Sequence, residues 1–248
     1  LDADAARAAM QAAENAGLTT KQFFGRLQEA VAPRILVDKS PSYALDPAAL
    51  RKAEAEFANA RYIHLVRQPL AMIDSFERHH MEQVLYLDDH PFDSRGLAEL
   101  IWTLSHRNTV EFLAGIPSDR WVRMRFEDLV RQPEAEMRTA CDALGLEYDP
   151  AVARPYEYLE HKMIDGVYAE SAPMGDPGFL AHGRIDVSAA EVGDAAITAP
   201  ALGEATLALA EELGYRRSED GARDPRSDRR ALARQRSRRR AARGSSDG

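Results

Sequence analysis

The sequence predicts an α/β protein with a central parallel sheet flanked by helices. Two observations predict it. Short apolar runs alternate with segments of helical spacing, and most helical segments open on a proline or a capping residue. The composition is 45% hydrophobic and 29% charged, which suits a chain that buries a core rather than a disordered one. With 248 residues there is room for one large domain or two small ones. No internal repeat is visible.

The elements follow in chain order. Ala, Leu, Gln, Glu and Lys dominate the first thirty residues, which read as helix broken at Gly17, with a second segment from about Thr20 to Val31. Ile35-Leu36-Val37 is a short apolar run, expected to be a buried strand. Asp46 before Pro47 places an N-cap and a proline at the first helical position, and Leu50, Ala53 and Phe57 continue at helical spacing to about Asn59. Tyr62 to Val66 is the next β-rich run. Pro69 opens a further helix with Ile73 and Phe76 on one face. Strand, helix, strand, helix is the order of a parallel sheet covered on both faces.

After Asp88-Asp89-His90-Pro91 comes the longest helical pattern, with Leu97, Leu100, Ile101, Leu104 and Val110 inward and Gly115 and Pro117 as its stop. Trp121 to Phe126 alternates as a strand does. Pro133 starts a helix with Met137, Cys141 and Leu144 inward, ended by Gly145. From about Pro155 to Ile185 the residues read mostly as loop, and long loops in compact domains are often functional. A last helix is expected from about Leu202 to Leu213. Trp102 and Trp121 are most simply core residues.

Charge is unevenly spread. The net charge is −8, yet Arg216 to Gly248 carries twelve Arg against five acids, a formal +7, and leaves an acidic body. That tail is expected to be a solvated linker. It has no aromatic residue and no reading motif, so nucleic-acid binding is not expected. No apolar run reaches the length of a membrane span. The opening residues lack the basic and apolar regions of a signal peptide, so none is expected, and one Cys cannot build either a disulfide set or a Cys-based zinc site. The expected location is cytoplasmic. His79-His80-Met81-Glu82 and Asp88-Asp89-His90 are weak metal patterns, because adjacent helical histidines diverge, and no metal is expected.

Two segments carry possible chemistry. In YIHLVRQPLAMIDS a buried strand ends at Arg67, Pro69 starts a helix, and Ser75 follows. Ligands of open parallel sheets bind beyond the carboxyl ends of strands, and a helix start favours an anion. A phosphate held by Arg67 and Ser75 is one reading; a structural salt bridge from Arg67 is the other. In VDKSPSY a second strand is expected to end at Asp38-Lys39. Beside Arg67, Lys39 would favour a polyanion, whereas alone it would be a surface lysine paired with Asp38.

On these segments, residues 35–148 resemble the sulfotransferase family that uses 3′-phosphoadenosine 5′-phosphosulfate (PAPS). That family's 3′-phosphate motif is Arg, any residue, Pro, five residues, then Ser, matched here by Arg67, Pro69 and Ser75. The Lys-Ser-Pro turn of Lys39 to Pro41 and the RFEDL run of Arg125 to Leu129 match two further motifs, followed by the helix PEAEMRTACDALGL. ILVDKSPSYALDP, AELIWTLSHRN and the MIDGVYAES, GDPGF and HGRID runs are closer still to sulfotransferase domains of modular polyketide synthases. The tail is similar to Arg/Leu-rich linkers between modules.

The resemblance implies sulfuryl transfer from PAPS, without a metal, to the β-hydroxyl of an acyl chain tethered to an acyl carrier protein. It implies that Lys39 neutralises the leaving group, that Arg67 and Ser75 hold the 3′-phosphate, and that His182 and Arg184 close over the nucleotide. The base in relatives is a His or Glu, and His106 is the first candidate here, with a satisfied helix histidine as its alternative. The Gly/Ser/Thr-rich 5′-phosphosulfate loop of the family is not found before Ile35. The expectation is therefore a P-loop-like domain over 1–215 that lacks the first strand and that loop, then a tail or linker over 216–248. The rivals are a free-standing sulfotransferase acting on a small alcohol and a non-catalytic interaction module.

Overall fold

The computed structural model describes residues 3–81, 90–157, 183–191, 197–198 and 202–218. Two helices lead, α1 (Ala3–Asn15) and α2 (Thr20–Val31). Between them Gly17 takes φ 64°, the left-handed conformation that closes a helix, and Thr19 with Gln22 forms a capping box at the start of α2. Phe24 of α2 meets Phe57 edge to face, with centroids 5.4 Å apart. A 3-10 turn, Pro41–Leu45, precedes α3 (Pro47–Glu56), where the Asp46 carboxylate accepts from the Ala48 N–H as the Asp-Pro pair predicts.

The remaining elements are β1 (Tyr62–Val66), α4 (Pro69–Arg78), α5 (Ser94–Leu113), β2 (Trp121–Arg125), α6 (Phe126–Arg131) and α7 (Pro133–Ala143). They are followed by 3-10 turns at Pro150–Ala153 and Val187–Ala190, then β3 (Ile197–Thr198), α8 (Glu204–Glu212) and β4 (Arg217–Ser218). β1 and β2 pair in parallel, Tyr62 opposite Trp121 through to Val66 opposite Arg125. β3 and β4 form a second parallel pair. The parallel sheet flanked by helices is the predicted architecture.

The core lies between β1, α4, α5 and α8. Val66, Ile73, Phe76, Leu97, Trp102, Leu207 and Leu209 are all buried in it. Each such side chain contributes roughly 1.5–3 kcal/mol through removal from water. Glu99 of α5 accepts from the Gly203 N–H at 2.7 Å and from the Thr206 hydroxyl at 2.7 Å, so α5 caps α8 from outside.

Three expectations are corrected. Ile35–Val37 is not a buried strand: it is extended coil, with Ile35 60% and Val37 81% exposed. Its flanking backbone bonds a side chain instead of a strand, since Gln28 accepts from the Leu36 N–H and donates to the Arg34 carbonyl. Leu104 is exposed, off the buried stripe of α5. The β1–β2 sheet is packed fully on one face only: His64 and Val66 point into α5 and α4, while Ile63 and Leu65 are about half exposed. The loop predicted over 155–185 falls mostly outside the described residues, as does the tail beyond Ser218.

Candidate anion site at the carboxyl edge of the sheet

The register brings the two strand ends side by side. β1 stops at Val66 because Pro69 cannot continue a ladder and instead starts α4. Gln68 is the N-cap, its side-chain Oε1 accepting from the Ala71 N–H at 2.8 Å. Opposite, β2 passes directly into α6 at Phe126. The guanidinium of Arg67 lies 4.4 Å from the centroid of the Phe126 ring. The RxP turn and the RFEDL run, read separately in the sequence, thus form one corner.

Glu127 anchors that corner. It is fully buried, and Oε1 accepts from the Gln68 N–H at 2.9 Å. Its Oε2 accepts from the Tyr215 hydroxyl at 3.0 Å. Arg125 lies 4.0 Å from Oε2, and its guanidinium sits 4.7 Å from the Tyr215 ring centroid. Burial, and then the neighbouring Glu127, hold the Tyr215 phenol above its ordinary pKa, so it stays a donor. From α5, the Trp102 indole N–H donates to the Arg67 carbonyl at 2.9 Å. Arg67 therefore stands at a strand end, at the positive end of a ten-residue helix, on a braced backbone. Ser75 lies half-buried on the second turn of α4.

A second cluster lies one turn along α5 from Trp102. His64 Nε2 and His106 Nδ1 are 2.9 Å apart, and the Arg123 Nε–H points at His64 Nδ1 from 3.4 Å. Trp102 packs edge-on to His106, centroids 4.7 Å apart. Burial, then His106 and Arg123, push His64 down to about 3. Burial, then Arg123, push His106 down to about 4. Both rings are neutral at pH 7. Arg123 can only donate, so His64 Nδ1 accepts and its proton sits on Nε2. That proton goes to His106 Nδ1, which leaves the His106 proton on Nε2. In this arrangement His106 offers an N–H, not a lone pair.

The other expected site residues are dispersed. Lys39 is exposed at the end of the coil that enters the 41–45 turn. That turn docks on α5 two residues after His106, where Asn108 donates to the Ala44 carbonyl at 2.9 Å. Arg184 is exposed, just ahead of the Val187–Ala190 turn, which Arg131 of α6 holds by donating to the Ala190 carbonyl at 3.0 Å. His182 lies outside the described residues. Among those residues, no group of three or more His, Cys, Asp or Glu converges as a metal site, and no helix is long and apolar enough to cross a membrane.

Sequence reasoning missed His64, Glu127 and Tyr215. Strand alternation with Val66 was a usable signal for His64, since both occupy the inward face. Nothing local to Tyr215 signals a partner 88 positions away.

Comparisons with known proteins bear on the family and the fold. Residues 1–150 match the family model described as the sulfotransferase family. The sulfotransferase domain from the curacin biosynthetic pathway is similar at 37% identity with a TM-score of 0.78, over 88% of this chain and 76% of that one. The sulfotransferase domain from the Synechococcus PCC 7002 olefin synthase is similar at 34% identity with a TM-score of 0.70, over 86% of this chain and 70% of that one. No curated protein matches. Motif order, strand-end geometry and these likenesses converge: the chain belongs to the sulfotransferase family.

Proposed function

We propose that the chain contributes to sulfuryl transfer from PAPS to the β-hydroxyl of an acyl chain carried on an acyl carrier protein, in the cytoplasm and without a metal. The observation that carries the donor half is Arg67, a braced cation where strand end and helix start coincide. The acceptor half rests on likeness to sulfotransferase domains of two biosynthetic systems, curacin and olefin synthase.

In this reading Arg67 and Ser75 hold the 3′-phosphate, Arg67 as a fixed fork and Ser75 through its hydroxyl. The acceptor oxygen bonds to sulfur as the sulfur–oxygen bond to the 5′-phosphate breaks. Charge grows on the departing phosphate, and in this reading Lys39 neutralises it. Arg184, with His182, closes over the nucleotide from the late loop. The hydroxyl proton needs an acceptor. His106 serves as that base only if its tautomer reverses, which costs the contact from Arg123 to His64. As arranged, it is a donor able to bind an oxygen of the transferring group.

Calorimetric titration of adenosine 3′,5′-diphosphate tests the donor half. Wild type is expected to bind, with affinity lowered about ten- to hundred-fold in Arg67→Ala, the loss of a charge-assisted phosphate contact. Absence of binding to the wild-type chain would remove the basis for the reading.

A further inference from the structure

The RFEDL run supplies no group to the proposed chemistry, yet its Glu127 is the most completely buried acid of the described core. A buried carboxylate is costly unless its lone pairs are used. Both oxygens here are used, and on different segments. Oε1 takes the Gln68 N–H and Oε2 takes the Tyr215 hydroxyl. Two fixed oxygens fix the plane of the carboxylate.

The peptide unit that joins Arg67 to Gln68 has two polar ends. Its N–H is held by Glu127 at 2.9 Å, and its carbonyl by the Trp102 indole N–H at 2.9 Å. Holding both ends sets the rotation of that plane, and so the direction in which the Arg67 side chain leaves the strand. Tyr215 stands two residues before β4, so the chain segment after α8 reaches the donor-site corner through this hydroxyl and through the ring over which the Arg125 guanidinium lies.

We infer that Glu127 is a positioning residue for the anion site, acting through the Arg67–Gln68 peptide, and that Tyr215 sets its orientation. This rests on the reading of Arg67 as the 3′-phosphate ligand. Displacing a charged fork by a fraction of an ångström weakens a bidentate contact but leaves the rest of the nucleotide untouched. The discriminating quantity is thus the preference for adenosine 3′,5′-diphosphate over adenosine 5′-monophosphate.

That preference is to be measured by calorimetry on the full chain as wild type, Glu127→Leu, Glu127→Gln and Tyr215→Phe, with circular dichroism as the check on folding. Glu127→Leu is expected to lower the preference about ten-fold. Glu127→Gln keeps an acceptor for the Gln68 N–H and restores most of it. Tyr215→Phe falls between the two, and it carries the test alone if Glu127→Leu does not fold. An unchanged preference in folded Tyr215→Phe, or equal weakening of both nucleotides, overturns the positioning role while leaving Arg67 in place. A wild type that shows no preference overturns the 3′-phosphate reading, and the positioning role with it.

Discussion

His64 and His106 share one hydrogen bond inside the core, and each is held neutral by burial. The consequence for stability has a definite sign. In the unfolded chain both rings titrate near 6.5, while in the fold they titrate near 3 and 4. Below pH 6.5 the unfolded state therefore binds more protons, and stability falls as pH drops toward the folded values. Above that pH the full stability is present. Each ring contributes a slope of up to about 1.4 kcal/mol per pH unit, and because neither folded ring takes up a proton above pH 5 the two contributions add. Between pH 6.5 and 5 the pair is expected to remove about 3 kcal/mol. Urea unfolding at pH 7.5, 6.5, 5.5 and 5 measures it. The double variant His64→Leu with His106→Leu should show a flatter dependence over that window. An equal slope in both proteins would mean that these rings are not the groups that couple folding to acid.

Helix α8 begins at Gly203, whose N-cap position lacks a side chain to cap with. Glu99 supplies the acceptor from α5, taking both the Gly203 N–H and the Thr206 hydroxyl, and Thr206 in turn lies 2.8 Å from the Thr103 hydroxyl. Glu99→Ala strands those donors and is expected to cost about 1–2 kcal/mol, as other lost caps do, read as a lower urea midpoint with an unchanged slope. That contact also marks the boundary of what the sequence made legible at this scale. Starts such as Asp46-Pro47, Pro69 and Pro133 were readable because a cap is a local event, and β1 and β2 because alternation is. The Glu99 cap spans 104 positions and leaves no local trace. Ile35–Val37 misled because apolarity signals burial but not the presence of a pairing strand. β3 and β4, two residues each, are too short to carry a period. The site divides the same way. Arg67, Ser75 and His106 stand on elements whose starts are local, whereas His64, Glu127 and Tyr215 matter through contacts made only in three dimensions.

The molecule as a whole is packed unevenly about its first sheet. On one face β1 presents His64 and Val66 to α4 and α5, with Val66 and Ile73 fully buried. On the other, Met124 of β2 is buried while Ile63 and Leu65 of β1 stay about half exposed. Among the described residues β1 also has a strand on one edge only. An open edge beside apolar side chains favours association between copies, which charged substitutions suppress. Stability and association should therefore separate. The double substitution Ile63→Lys with Leu65→Lys is expected to change unfolding free energy by less than about 1 kcal/mol, because little is buried there. Ile73→Ala, in the packed face, is expected to cost about 2–5 kcal/mol. Sedimentation velocity over a concentration series should show self-association in the wild type and less of it in the lysine variant. Should the lysine pair prove as damaging as Ile73→Ala, the second face would be packed in solution. The sheet would then be covered on both sides, as its alternation of strand and helix first suggests.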